Sequence, residues 1–277
     1  MLNTPNQIPP TCHPLIDIGA NLTHSSFDPD REQVLTDAFA AGVEYIMVTG
    51  SSLLESIKAI ELCEKHPQKL FSTCGIHPHH AIEWHADTSK QIQQLAGEHG
   101  CIKAIGETGL DFYRDICPHE QQELAFIDQL QIAAQLQLPV FLHERESFER
   151  FAPILKEHRH ALRNAVVHCF TGEQNALRAY LDLDCYIGIT GWICDERRGQ
   201  HLRQLVKYIP LDRLLIETDA PYLLPRDLSL SGPQKKTRRN EPQFLTHIAS
   251  TIAQCLNISA ATICQTTHKN SRLFFNL

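Results

Sequence analysis

The sequence is short of the features that mark several protein classes. No two of its ten cysteines have CxxC spacing, so neither a zinc ribbon nor a dithiol redox motif is present. No run approaches the 18 apolar residues of a membrane span, and Met1–Pro14 lacks the apolar core of a secretory signal. Neither GxGxxG nor GxxxxGK[ST] occurs, which removes the dinucleotide and P-loop fingerprints. A basic excess is missing too. The net charge is −7, which excludes a protein that grips nucleic acid mainly through its overall field. An enzyme that neutralises a few phosphates with a bound metal and local Arg or Lys stays open. No internal repeat, low-complexity tract or linker divides the chain. These absences describe a soluble, cytoplasmic, monomeric protein with no membrane contact: residues 1–14 are a loose extension and 15–277 one domain.

Short apolar runs alternate with longer amphipathic ones. Strands are predicted at Leu15–Leu22, Val43–Gly50, Leu70–Ile76, Cys101–Thr108, Leu138–His143, Ala165–Phe170, Tyr186–Thr190 and Leu214–Thr218. Several are near-continuous in Val, Ile and Leu, the pattern of parallel strands covered on both faces. Helices are predicted at Asp30–Ala41, Ser51–His66, Thr88–His99, Glu120–Leu138, Phe148–His158, Glu173–Leu181 and Glu196–Tyr208, with two more near Pro242–Leu256 and Ser259–His268. Eight strands, each followed by a helix, predict a (β/α)₈ TIM barrel, an α/β fold. A doubly wound open sheet is the runner-up. The count of eight and the missing Gly-rich fingerprint favour the barrel.

In a barrel the chemistry sits at the C-terminal ends of the strands. Strand one carries Asp17, and strands three, four, five, six and eight run into His77, Glu107, His143, His168 and Asp219. One such residue is most often a cap. Several on one rim are different, because buried carboxylates and imidazoles need compensation and a divalent cation supplies it. Imidazole with carboxylate suits Zn, Mn or Fe, and oxygen-rich sites suit Mg.

At these residues the sequence resembles the TatD-type deoxyribonucleases, metal-dependent hydrolases of the amidohydrolase superfamily. The motifs are Gly75-Ile-His-Pro-His79, Ile105-Gly-Glu-Thr-Gly-Leu-Asp-Phe112, Pro139-Val-Phe-Leu-His143, His168-Cys-Phe-Thr-Gly172 and Leu215-Ile-Glu-Thr-Asp-Ala-Pro-Tyr222. They are collinear and span about residues 15–275. The segments Ile187–Arg198 and Arg238–Pro242 look like the TatD branch. The resemblance implies a metallohydrolase barrel that cleaves phosphodiester bonds with Mg²⁺ (Mn²⁺ or Zn²⁺ being possible). For that branch it implies 3′→5′ exonuclease action on single-stranded DNA and RNA, linked to DNA repair. Glu107, His143 and His168 would be metal ligands and Asp219 a ligand or general base.

The wider family opens strand one with Asp-x-His-x-His, whereas this chain reads Asp17-Ile-Gly-Ala-Asn21. Gly19 offers no ligand and Asn21 only a neutral oxygen, so a weaker Mg²⁺ site with one tightly held ion is expected. Further residues have a functional and a structural reading side by side. His77 and His79 either touch phosphate or relay a proton, or they cap the loop that Pro78 fixes. Arg145 either holds phosphate or pairs with Glu144 or Glu146. In Lys235-Lys-Thr-Arg-Arg239, Arg238 and Arg239 either contact the phosphate chain or form a solvated loop. Phe112, Tyr113, Trp192 and Tyr222 offer stacking faces for bases or pack the rim. The rivals are an amide or ester hydrolase on the same scaffold, since fold does not fix substrate, and a non-catalytic binding protein.

Overall fold

The computed structural model describes residues 13–230 and 238–277. Most of the expected N-terminal extension, and Lys235 and Lys236 of the basic run, lie outside the described residues.

Eight strands form one sheet in sequence order, each parallel to its neighbours. They are β1 (Leu15–Ala20), β2 (Val43–Val48), β3 (Leu70–Cys74), β4 (Ile102–Asp111), β5 (Val140–Arg145), β6 (Ala165–Val167), β7 (Tyr186–Ile189) and β8 (Leu214–Ile216). The last strand returns to the first. Ala20 bridges Ala220, the Asp219 amide donates to the Gly19 carbonyl at 2.8 Å, and the Asn21 amide donates to the Ala220 carbonyl at 2.6 Å. The sheet is therefore the expected barrel. The helices between strands are α1 (Arg31–Ala40), α2 (Leu53–Lys65), α3 (Ala86–Glu98), α4 (His119–Leu136), α5 (Phe148–His158), α6 (Gln174–Asp182) and α7 (Gln200–Leu205); α8 (Leu245–Leu256) and α9 (Ala260–Phe275) follow β8.

Local chemistry sets several boundaries. The Ser52 side chain accepts the Glu55 amide at 3.2 Å and caps α2. Gln137 in the left-handed conformation stops α4 ahead of Leu138-Pro139. Two of the helix expectations fail in length. The helix expected over Glu196–Tyr208 starts only at Gln200, because the Asp195 carboxylate takes the Arg197 and Arg198 amides at 2.8 and 3.3 Å and folds that stretch into a turn. The final helix runs on to Phe275 rather than His268, because its end carries two buried rings.

Those rings define the inner layer. Ile16, Ile18, Met47, Ala104, Phe141, Val166 and Leu215 from the strands pack with Phe274 and Phe275 into one buried cluster, flanked by Tyr45, Phe71 and Tyr186. The partners of Phe274 lie at strand starts: Tyr186 meets it edge-on at 5.2 Å, and Asn164 donates to its carbonyl. The end of α9 thus closes the bottom of the barrel. A larger cluster fills the space between strands and helices, where each buried Leu, Ile or Phe contributes about 1.5–3 kcal/mol. The top of the inner layer is Phe141, whose ring stacks 4.5 Å below His168. Polar chemistry begins there.

Candidate metal centre

Glu107 is the hub. It lies within β4, buried, and its Oε1 is approached by three imidazoles: His168 Nε2 at 2.7 Å, His143 Nδ1 at 2.9 Å and His77 Nε2 at 3.3 Å. These come from the ends of β6, β5 and β3, so four strands deliver one cluster, as the strand-end expectation required.

Each of two imidazoles is held between carboxylates. His143 has Glu107 at Nδ1 and Asp111 Oδ2 at 3.4 Å from Nε2. His168 has Glu107 at Nε2 and Glu217 Oε2 at 3.4 Å from Nδ1. An outer carboxylate behind a histidine fixes ring orientation and raises its basicity, as second partners of metal-bound histidines do. Asp111 also meets His79 Nε2 at 2.8 Å, and Glu217 Oε1 accepts the Cys169 amide at 2.6 Å. Sequence reasoning gave Asp111 and Glu217 no role, although both stood inside recognised motifs. An acidic residue in an otherwise apolar strand run, Leu214-Leu-Ile-Glu217, was the available signal.

His77 differs from the other two. Its Nδ1 accepts the His79 amide at 3.0 Å. That leaves the ring proton on Nε2, aimed at Glu107. Its donor atom does fall within 4.8 Å of those of Glu107 and His143, so it reaches the ligand group, but with a proton in the way. Gln129 holds the strand that places it, accepting the Ile76 amide at 2.8 Å and donating to the Ile76 carbonyl at 3.0 Å and Thr108 Oγ1 at 2.7 Å.

Asp219 stands beside this group and accepts the Asn21 amide hydrogen at 3.0 Å. Gly19 has a steric role. A Cβ there would lie 2.6 Å from Glu217 Oε2 and 3.0 Å from the Phe141 ring. In place of the two strand-one histidines of the wider family, this chain has the Glu217 carboxylate and an Asn21–Asp219 hydrogen bond. Asp17 lies deeper, bonded to the Thr218 amide and hydroxyl at 2.9 and 2.5 Å.

Electrostatics follow from this crowding. Burial alone would raise the Glu107 carboxyl, but electrostatic attraction to His77 and His168 and hydrogen bonds from His143 and His168 hold it well below the usual range. Burial opposes charge on His168 too, yet Glu107 and Glu217 push it well above the ordinary histidine range. Burial lowers His77 to about 4 despite Glu107. Burial, reinforced by Glu107 and Glu217 against the opposing His168 charge, raises Asp219 to about 7. The site has more carboxylates than cations to match them. His143 Nδ1 and His168 Nε2 both point at the same buried Glu107 oxygen, at 2.9 and 2.7 Å. Two imidazole nitrogens and a carboxylate oxygen gathered on one point of an acidic centre fit a divalent cation.

A sequence profile described as TatD related DNase matches residues 16–276. The chain belongs to that family. Relatives agree along its length. The protein named 3′-5′ ssDNA/RNA exonuclease TatD in Pantoea sp. strain At-9b is 51% identical over 263 residues, covering 95% of this chain and 100% of that one. Its namesake in Escherichia fergusonii is 48% identical, covering 95% and 99%. The crystal structure of YJJV, a TatD homologue from Escherichia coli K12, superposes with a TM-score of 0.85 at 28% identity, covering 95% of this chain and 98% of that one.

The four substrate-contact expectations divide within this family frame. His79 lies beside the centre on Asp111. Arg145 lies over the exposed Tyr113 ring at 4.2 Å and lines a cavity of about 590 Å³ that opens on His143 and His168. Arg238 is exposed on the loop before α8. Arg239 is a correction. It is 9% exposed, its guanidinium bonds both Asp30 oxygens at 2.8 and 2.9 Å and Glu241 at 2.8 Å, and it lies 4.5 Å over Phe27. Its charge is committed to the fold, not offered to phosphate.

Proposed function

We propose that this chain is a metal-dependent exonuclease that hydrolyses phosphodiester bonds of single-stranded DNA and RNA from the 3′ end, with Mg²⁺ as working cation. The convergence of Glu107, His143 and His168 on one point carries the reading, and the names of its relatives support the substrate and polarity. Glu107 Oε1, His143 Nδ1 and His168 Nε2 would hold the cation, with Asp219 beside them. Bound there, a divalent cation supplies positive charge to the phosphoryl oxygens and acidity to the attacking water. Asp219 would take the proton from that water. His77 keeps its Nε2 proton toward the centre and serves as a donor to Glu107 or to a phosphate oxygen. Phe141 seals the floor against solvent.

Two grooves flank the centre. In the one past Asn21 and Tyr222 two of the three lining cations are paired, Arg31 with Asp28 at 2.6 Å and Lys58 with Glu55 at 2.9 Å. In the cavity beside His143 and His168, cations lie on aromatic faces instead: Arg145 over Tyr113, and Arg198 5.8 Å from Trp192. Aromatic faces with adjacent guanidinium groups suit a single strand, whose bases stack and whose phosphates carry the charge. This cavity is the preferred strand path, with Arg238 a further phosphate contact.

The test is end-labelled single-stranded DNA and RNA, with duplex as control, in Mg²⁺, Mn²⁺, Zn²⁺ or EDTA. Stepwise release of mononucleotides from the 3′ end with Mg²⁺, abolished by EDTA, is expected. Cleavage that persists in EDTA, or hydrolysis of an amide or ester substrate alone, would refute the assignment. Trp192→Ala should raise KM for single strands about 5–150-fold, from the roughly 1–3 kcal/mol of one base–aromatic stack, and leave kcat nearly unchanged. An unchanged KM would place the strand elsewhere.

A further inference from the structure

A second group of ligand-type side chains lies away from the centre. Cys194 ends the short 3₁₀ turn Gly191–Cys194 that follows β7, Asp227 lies on the loop that follows β8, and His247 lies in the first turn of α8. Their donor atoms lie within 4.8 Å of one another. His247 Nε2 is 2.6 Å from Asp227 Oδ1, and the Cys194 thiol donates to Thr251 Oγ1 at 3.4 Å.

We propose that Cys194, Asp227 and His247 form a binding site for a thiophilic dication of the Zn²⁺ class, separate from the catalytic centre.

The ligand set differs in kind from that of the centre. Thiolate with imidazole selects zinc-class ions over Mg²⁺, whereas carboxylate-rich sets accept the hard ion. The two places would therefore sort cations by chemistry. Three protein ligands leave a fourth tetrahedral position for water. The surroundings already resemble an outer shell. Asp227 Oδ2 faces Arg203 at 3.5 Å, and Arg203 is itself held by its Nε on the Ile193 carbonyl at 2.8 Å. The guanidinium occupies one carboxylate oxygen and leaves Oδ1, the atom facing His247, for the ion. Ligating carboxylates commonly have such a partner. The arginine charge opposes binding, and the thiolate charge offsets it. Binding releases the thiol proton to solvent, as coordination of a cysteine requires.

Co²⁺ is the probe, because cobalt bound to thiolate has a near-ultraviolet charge-transfer band. The full chain is first saturated with Mg²⁺ and then titrated with Co²⁺. The band is expected to saturate at one equivalent, to bleach on adding Zn²⁺, and to be absent in Cys194→Ser. Asp227→Asn and His247→Ala, at partly exposed positions, should weaken the ion by at least the roughly 10–100-fold that loss of an outer-shell partner costs. His143→Ala should leave the band intact. No band in the unsubstituted protein overturns the site. So does a band that survives in Cys194→Ser, since it would belong to another thiol, with Cys169 beside His168 the first suspect. Circular dichroism of Cys194→Ser shows whether it folds; should it not, the two partly exposed variants decide alone.

Discussion

Glu107→Gln should cut kcat/KM on single-stranded DNA by at least about 10³-fold while the protein stays folded. The substitution keeps the side chain's shape and removes its charge. That charge faces three imidazoles at 2.7, 2.9 and 3.3 Å. One pre-organised electrostatic group is worth about 10²–10³ in kcat, and Glu107 both orders the histidines and would hold the cation. The measurement is activity after stripping with EDTA and returning Mg²⁺, with circular dichroism as the fold control. Recovery in the variant to within tenfold of the unsubstituted protein would remove Glu107 from the centre.

Arg239→Ala should act on stability instead. Removing the guanidinium leaves the buried Glu241 carboxylate, 5% exposed, without its cation. It also strips the partner that holds Asp30 below its usual range by direct hydrogen bonding. Breaking a buried pair from one side costs about 3–5 kcal/mol. At about 2–4 °C per kcal/mol for chains approaching this size, Tm should fall by roughly 6–20 °C. KM for nucleic acid and its salt dependence, measured well below both transitions, should not move. A raised KM with unchanged Tm would return Arg239 to the substrate.

The contrast between Glu107 and Arg239 marks what the sequence can convey. Glu107, His143, His168 and Asp219 were legible because a parallel barrel puts every strand end on one rim, so position along the chain stood in for position in space. His77 was legible as a rim residue, but its tautomer depends on the His79 amide, and that contact is a matter of backbone geometry. Asp111 and Glu217 were hidden because their roles depend on facing His143 from the neighbouring strand and His168 from two strands away. Arg239 was misread for a related reason. Within its own segment it belongs to a run of positive charge, while one of the two carboxylates that claim it, Asp30, lies 209 residues earlier. The shortened helix at Gln200 shows the same limit on a local scale: a helical apolar pattern lost to one aspartate side chain that binds two backbone amides.

The two rings at the end of α9 bear on how the molecule is made. Phe274 and Phe275 share a buried layer with Ile16 and Ile18, so during synthesis β1 waits for the far end of the barrel before its inner face is covered. Synthesis at about 5–20 residues per second gives that wait a length of many seconds. Throughout it the outer helices can dock while the barrel's interior stays open at the bottom. Removing those two residues would leave the catalytic rim's sequence intact and strand the nascent chain at that half-finished stage, where its exposed apolar surface is a target for chaperones and proteases.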